Sequence, residues 1–196
     1  MTGISRGRWY RASWLCLAAA ACGGRAGSRT KGAEPAIRVI PLARAIVLET
    51  AGPPPADTSV TFNTGEPRVI VLRHGPPENV EFAEVSFAPT AFKADSGHVV
   101  RVEVRPRPGV YGLDVISSVP FAGGASVTFK YARYFSAPAL ARSVYGSDAL
   151  YERALAVGQV TPNGPLLTLL PSTRPAADNL KATMPAPGTY LVAAPQ

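Results

Sequence analysis

Histidine and cysteine are scarce in this chain of 196 residues, which contains only 2 of each. A zinc site would need His74 and His98 to converge with carboxylates, because the two cysteines, Cys16 and Cys22, both lie near the start of the chain. We interpret the histidines as two separate turn residues. The composition therefore predicts no metal and no cofactor.

Catalytic motifs are missing from the sequence as well. It has no serine in a Gly-x-Ser-x-Gly turn, no glycine-rich phosphate loop after a strand and no calcium loop of the EF-hand type. The acidic residues are scattered, so no pair stands out for glycoside hydrolysis. The sequence therefore predicts a protein that is not an enzyme.

Outside residues 1–35, the chain carries little net charge. The formal net charge is +7, from 20 basic and 13 acidic residues. Residues 1–21 hold three of the arginines and no acid, and residues 22–35 hold three further basic residues and one acid. The rest is nearly balanced and has no long block of one sign, so we expect no nucleic-acid partner.

No apolar run is long enough to cross a bilayer as a helix. The run near the start covers residues 12–21, whereas a membrane-spanning helix needs about 20 residues. Arg6, Arg8 and Arg11 precede this run, and small residues end it. This order is typical of a secretory signal, which we assign to residues 1–21.

The end of the signal carries the sequence Ala19-Ala20-Ala21-Cys22. It resembles a bacterial lipobox, in which a peptidase cuts before a cysteine that carries a diacylglyceryl group. Ala19 departs from the leucine that usually stands three residues before the cysteine. The resemblance implies lipidation of Cys22. The alternative is an ordinary A-x-A cut, with Cys22 incidental.

Lipidation of Cys22 would place the protein at a membrane of the cell envelope. Stable anchoring needs more than one acyl chain, and a triacylated N-terminus meets that need. Gly23 stands where an aspartate would, in some Gram-negative bacteria, retain a lipoprotein in the inner membrane. We therefore expect an exported protein at the outer membrane, on its periplasmic or surface face. Residues 22–35 are predicted to form a flexible tether.

Helix-length periodic segments are few, because 20 prolines and 18 glycines are spread along the chain. Short strands joined by turns rich in proline and glycine predict an all-β fold. We expect residues 36–196 to form a single β-sandwich of about 8–11 short antiparallel strands.

The clearest strand covers residues 98–105. Val100, Val102 and Val104 alternate there with charged residues, which predicts a sheet with one face toward solvent. Residues 58–62 and 68–72 are expected to form a hairpin or a corner between two sheets. The second of these segments is apolar on both faces, which predicts a central strand.

The other strands follow weaker patterns. In residues 79–87 the apolar positions change parity at Ala83-Glu84, which predicts a bulge or a second short strand. Tyr131 is expected to face the core from a strand over residues 125–133. Residues 138–145 are predicted to form a turn of helix or an irregular arm. Further short strands are expected at residues 150–157, 166–170, 180–183 and 189–193.

Three features of residues 80–194 are shared with a known family. They are the loop before the strand at 98–105, the segment 120–135 that ends in Tyr-x-x-Tyr-Phe, and the closing residues 187–194. Together they resemble the ZU5-like β-sandwich modules of surface and scaffold proteins, and other Ig-like sandwiches. The resemblance implies an interaction or structural module and brings no catalytic residues.

Two groups of polar or aromatic side chains are candidates for binding. The loop at 171–179 carries Ser172, Thr173, Arg174, Asp178 and Asn179, and loops on a rigid scaffold often bind ligands. The alternative is that Asp178 and Asn179 form Asx turns. The second group could line a face for a sugar or peptide, or cover the core and a sheet edge: Tyr131, Tyr134, Phe135, Tyr145 and Tyr151.

We therefore expect a non-enzymatic, lipid-anchored envelope protein whose β-sandwich is a binding or structural module. Its expected partners are the membrane, through lipid on Cys22, and another envelope protein or a glycan. The alternative is an envelope hydrolase or a carbohydrate-binding accessory domain. A cleft that holds His74 or His98 against an acid would favour this alternative.

The anchor can be tested with the Cys22→Ala variant expressed in a bacterium. We expect wild-type protein to partition into detergent and to carry acyl mass on residue 22, and the variant to show a processing defect. Intact mass and phase partitioning measure both effects, and Cys16→Ala should behave as wild type. A soluble mature chain that starts elsewhere and is unchanged by Cys22→Ala would contradict the assignment.

Overall fold

The computed structural model describes residues 37–162 and 164–196. The predicted signal (1–21), Cys22 and the predicted tether (22–35) lie outside the described residues. The described part belongs to one compact unit, Ala33–Gln196.

Short strands dominate the described residues, and helices are few. The two α-helices are α1 (Ala139–Tyr145) and α2 (Asp148–Ala154). The strands are β1 (Arg38–Pro41), β2 (Ala45–Val47), β3 (Glu49–Thr50), β4 (Thr58–Asn63), β5 (Arg68–Arg73), β6 (Glu81–Phe87), β7 (Val99–Pro106), β8 (Gly112–Ser117), β9 (Ala125–Lys130), β10 (Phe135–Ser136), β11 (Ala156–Val160), β12 (Leu166–Leu169), β13 (Ser172–Thr173), β14 (Asn179–Thr183) and β15 (Gly188–Pro195).

The strands form two antiparallel sheets that pack as a sandwich, so the predicted fold class is confirmed. The larger sheet has the order β1-β12-β11-β15-β8-β7-β4, with β2 also paired to β15. The smaller sheet has the order β13-β14-β9-β6-β5. The very short β3 and β10 pair with each other.

Alternation along the strands builds the core between the sheets. Val100, Val102 and Val104 of β7 are fully buried, as the sequence predicts. The facing sheet contributes large side chains, among them Phe82 and Phe129, which also meet edge to face. Burial of such side chains is the main favourable term in folding, at about 25 cal/mol per Å² of apolar surface.

The connection between β4 and β5 is a corner between sheets, and the hairpin alternative is wrong. β4 pairs with β7 in the larger sheet, whereas β5 pairs with β6 in the smaller one. The prediction that residues 68–72 form a central strand is also wrong. β5 is an edge strand, and its outward side chains Val69 and Val71 are 52% and 40% exposed.

The predicted irregularity in residues 79–87 is a β-bulge. Leu72 pairs with Ala83 and Arg73 pairs with Glu81, which leaves Phe82 as the extra residue of β6. The bulge lets both Phe82 and Ala83 point into the core, because an extra residue shifts the alternation of the strand. It lies one residue earlier than the sequence indicated.

The predicted strand at residues 150–157 is wrong over most of its length. Helix α2 occupies Asp148–Ala154, and only the end of the segment joins β11. Ser147 begins the helix: its side chain accepts a hydrogen bond from the backbone N–H of Leu150 at 3.2 Å, and Asp148 in the first turn suits the positive end of the helix dipole. The predicted turn of helix at 138–145 is confirmed as α1.

The edge position of β5 predicts a large loss of stability at one residue and a small loss at its neighbour. Ile70→Ala should lower the free energy of unfolding by about 2–5 kcal/mol, because Ile70 is 4% exposed and its removal leaves a cavity. Val71→Ala should cost less than about 1 kcal/mol, since Val71 faces solvent. Urea denaturation measures both values, and a large loss for Val71→Ala would contradict the edge assignment.

Candidate anion-binding pocket

A cavity of about 410 Å³ lies where the strands β1, β11 and β12 of the larger sheet approach β13 and β14 of the smaller one. The end of helix α2 closes one side. Among the described residues, the polar wall of the cavity consists of Arg38, Arg153, Arg174 and Ser172 and includes no acidic residue. The volume lies within the range of small-molecule sites, which is about 300–1,000 Å³.

The three arginines reach the pocket from distant parts of the chain. Arg38 begins the edge strand β1, and Arg153 lies in the last turn of α2. Arg174 follows β13, directly after the chain has passed from β12 in the larger sheet to the smaller one. The pocket therefore exists only in the assembled sandwich.

Arg174 is held in place by hydrogen bonds on two sides. One terminal nitrogen, Nη1, donates to the hydroxyl of Tyr131. The other, Nη2, donates to the backbone carbonyl of Glu152, with a longer contact of 3.4 Å to that of Leu155. These carbonyls lie at the C-terminal end of α2, which carries partial negative charge and favours a cation. The guanidinium is thus fixed before any ligand arrives.

The pocket collects arginines that form no ion pair with a described residue. Within the described part of the chain, eight basic side chains form no ion pair: Arg38, Arg44, Arg68, Lys93, Arg101, Arg153, Arg174 and Lys181. Three of these eight line this one pocket. Like charges placed together without a counterion repel one another, so the arrangement favours an anionic ligand.

Two tyrosines beside the arginines have raised pKa values. Burial raises the pKa of Tyr131 to about 12, while nearby Arg174 lowers it and nearby Glu152 raises it. The Tyr131 hydroxyl donates to Oε1 of Glu152 at 3.1 Å. Burial also raises the pKa of Tyr145, against the effect of Arg38. Both phenols are therefore neutral at physiological pH and leave the arginine charge uncompensated.

The structure brings two of the five predicted binding-loop residues into the pocket. Arg174 and Ser172 line it, whereas Thr173, Asp178 and Asn179 do not.

The Ser172 hydroxyl has a structural role within the pocket wall. It accepts from the backbone N–H of Val157 and donates to the carbonyl of Leu170, both at 2.9 Å. These two bonds connect β13 to β11 and to the chain just after β12, and they occupy the only proton that the hydroxyl can donate.

The other loop residues mainly shape the turn before β14. The carbonyl of Asp178 accepts from the N–H of Tyr131 at 3.1 Å, and the N–H of Asn179 donates to the carbonyl of Ala176 at 3.2 Å. Thr173 pairs with Lys181 in the β13–β14 ladder.

Arg38 and Arg153 were not predicted as site residues. A helix assignment for residues 148–154 would have placed Arg153 at a helix C-terminus.

The aromatic group of the sequence analysis packs onto the protein interior. Tyr131 and Tyr151 are buried, and Tyr134, Phe135 and Tyr145 pack against the core. The hydroxyl of Tyr151 donates to the carbonyl of Ile46 at 3.2 Å. The alternative of core and edge cover therefore describes these side chains better than a binding face.

The two histidines occupy different environments. His74 is 2% exposed, and its ring meets Phe82 and Tyr134 edge to face, with centroids 5.2 and 4.6 Å away. Its Nδ1 lies 2.8 Å from the carbonyl of Pro53, which can only accept, so Nδ1 carries the proton. His98 is exposed in the turn before β7.

Within residues 37–162 and 164–196, no group of three or more His, Cys, Asp or Glu side chains could hold a metal ion. No helix in the same ranges is both long and apolar enough to cross a membrane.

Comparisons with protein-family models, with curated proteins and with solved structures found no match to this chain. The sequence and the geometry of the pocket therefore provide the basis for a functional proposal.

The support of Arg174 by Tyr131 can be tested with Tyr131→Phe. Below pH 10 we expect the variant to lose about 1 kcal/mol of unfolding free energy, because the exposed Arg174 and the half-buried Glu152 each lose a hydrogen-bond partner. The folded-state pKa of Tyr131 is raised, so its contribution is present below pH 10. It is lost as pH rises toward 12, because the unfolded tyrosine ionises first.

The difference between wild type and Tyr131→Phe should therefore narrow between about pH 10 and pH 12 in urea denaturation. Tyr134→Phe is the matched control, since the Tyr134 hydroxyl makes no hydrogen bond to a described residue, and it should change stability by less than about 0.5 kcal/mol. Equal losses in the two variants would show that the hydroxyl of Tyr131 does not support the pocket.

Proposed function

We propose that this protein is a non-enzymatic binding module of the bacterial cell envelope, anchored through lipid on Cys22, and that it binds an anionic ligand in the pocket formed by Arg38, Arg153 and Arg174. The β-sandwich is the rigid scaffold, and the anchor sets the location. Partners in this setting are the membrane itself and another envelope protein or a glycan.

The single observation that carries the binding role is that three arginines without an ion pair among the described residues line one cavity. Arginine suits such a role because it stays charged at all physiological pH values and presents its donors in a planar fork. A pocket wall with one sign of charge attracts ligands of the opposite sign. Arg174 is already fixed, so less conformational entropy is lost when a ligand binds.

The envelope location depends on the start of the chain. Its support is the order of arginines, apolar run and small residues before Cys22, together with the lipobox-like sequence that ends at this cysteine. The resemblance to ZU5-like modules also implies an interaction or structural role rather than a catalytic one.

The alternative, an envelope hydrolase or a carbohydrate-binding accessory domain, gains no specific support. His74 is enclosed by aromatic rings and its Nδ1 is engaged by Pro53. His98 lies in an exposed turn. Neither histidine faces an acid in a cleft, which is the arrangement that would favour the hydrolase.

The binding role is tested by titrating the full chain, purified in detergent, with citrate and with pyrophosphate in a calorimeter. These probes carry several carboxylate or phosphate oxygens and differ in the anionic group. We expect at least one to bind, with an affinity that falls as salt is raised, because salt screens charge. Arg38→Gln and Arg153→Gln should each weaken binding by roughly tenfold or more, the usual effect of losing a charged hydrogen bond.

Arg68→Gln is the matched control. Arg68 is also exposed and forms no ion pair with a described residue, but it lies on β5, at the opposite edge of the smaller sheet from β13. It should leave the affinity unchanged. If Arg68→Gln weakens binding as much as Arg153→Gln does, or if these two probes and an organic phosphate ester all fail to bind, the pocket is not the anion site.

A further inference from the structure

The arginine pocket offers more positive charge than one carboxylate can neutralise. Arg38, Arg153 and Arg174 bring three cations to a wall without an acid. A carboxylate has one charge and two oxygens, and a single guanidinium can satisfy both oxygens in a bidentate pair. A phosphate monoester carries about −1.5 to −2 at neutral pH and presents three acceptor oxygens. Its charge and its number of oxygens fit three arginines better.

The fixed arginine still has donors to offer. A guanidinium carries five N–H groups, and Arg174 uses three of them on Tyr131, Glu152 and Leu155. Two N–H groups remain without a partner among the described residues. Arg38 and Arg153 form no ion pair with a described residue, so their guanidinium N–H groups are also available to a ligand.

Glu152 lies beside two of the arginines but does not line this pocket. Glu152 lines a second cavity of about 220 Å³, together with Arg153, Arg174 and Ala177. Its Oε1 accepts the hydroxyl proton of Tyr131. Arg153 and Arg174 thus border both cavities, and the larger cavity keeps a wall free of acid.

The rest of the larger pocket is apolar. Its remaining wall includes Leu155, Ala156, Leu169, Leu170 and Pro195. The only hydroxyl in the wall, that of Ser172, donates its proton to a backbone carbonyl. A sugar ring in this pocket would bury hydroxyl groups without partners, which costs free energy, whereas an apolar group would remove apolar wall from water.

We infer that the pocket takes a phosphate monoester whose organic part is apolar, with the phosphate held by Arg38, Arg153 and Arg174 and the apolar part against the leucine wall. This inference rests on the proposed anion-binding function and names its ligand class. The same chemistry occurs in a lipid phosphate headgroup and in a soluble alkyl phosphate.

The experiment compares four soluble probes on the full chain in a calorimeter: hexyl phosphate, heptanoate, inorganic phosphate and glucose 6-phosphate. We expect hexyl phosphate to bind at least tenfold more tightly than each of the others. Heptanoate tests the phosphate group, inorganic phosphate tests the apolar part, and glucose 6-phosphate tests a polar body. The affinity for hexyl phosphate should fall as pH is lowered through about 6, where the ester loses its second charge.

The variants link this preference to the pocket. Arg38→Gln and Arg153→Gln should each lower the affinity for hexyl phosphate by at least about tenfold. Arg68→Gln should leave this affinity unchanged. Both pocket residues are exposed on the surface, so the variants should keep the wild-type melting temperature. Arg153→Lys is a second variant that keeps the charge and loses the fork, and it should fall between wild type and Arg153→Gln.

Dihexanoyl phosphatidic acid, used below its micelle concentration, distinguishes the two sources of the ligand. Binding as tight as that of hexyl phosphate would identify a lipid headgroup. Binding of hexyl phosphate alone would identify a soluble ester. Either result supports the inference, provided that the pocket variants abolish the binding.

Failure of this inference can be told apart from failure of the proposed function. If heptanoate or citrate binds as tightly as hexyl phosphate, or if glucose 6-phosphate binds more tightly, the ligand class is wrong and the anion-binding function stands. If hexyl phosphate, citrate and pyrophosphate all fail to bind, both proposals are wrong.

Discussion

Four fully buried tyrosines impose the main polar constraint on this sandwich. Tyr111, Tyr131, Tyr151 and Tyr190 are its largest fully buried side chains, and each hydroxyl must find an acceptor because an unpaired buried donor costs about 1–3 kcal/mol. Their acceptors are, in the same order, the carbonyl of Tyr131, the carboxylate of Glu152, the carbonyl of Ile46 and the carbonyl of Ala186. These hydrogen bonds hold helix α2 and the connection before β15 in place. Strand pairing alone would not determine their positions.

The pocket depends on this polar framework as much as on the sheets. Tyr151 holds α2 against β2, and Tyr131 joins β9 to both Glu152 and Arg174. The end of α2 and the loop after β13 therefore face one another at a fixed distance. Arg174 completes the arrangement by donating to the carbonyls of Glu152 and Leu155 at the C-terminal end of the helix. The same contacts that stabilise the fold thus hold one arginine of the site in a defined orientation.

The amino-acid sequence predicts those parts of the fold in which a local pattern has a single structural explanation. Val100, Val102 and Val104 alternate with charged residues, and only a strand with one wet face fits. The parity change in β6 likewise requires an extra residue. The apolar stretch of β5 has two explanations, since an edge strand can expose Val69 and Val71, and local sequence does not reveal which strands become neighbours.

The candidate site could be predicted only in part for the same reason. Arg174 stands in a polar loop, which marks it as a binding candidate, but its meeting with Arg38 and Arg153 depends on sheet order and on α2. The apolar residues at 150–157 suggest a strand, but they are equally compatible with a helix. Tyr151 and Leu155 are four residues apart and both buried, as on one face of a helix. The cap formed by Ser147 is the local feature that favours the helix.

The place of β15 in the larger sheet has a consequence for how the chain is made. This strand lies in the interior of the sheet and pairs with β11, β8 and β2, yet it follows every other strand described here. The order of synthesis thus delays closure of the sheet: β2 and β8 emerge from the ribosome long before the partner that joins them to β11. Until residues 188–195 arrive, β8 and β11 have no strand between them, so the two parts of the larger sheet cannot join. The larger sheet is therefore completed only after β15 has been synthesised.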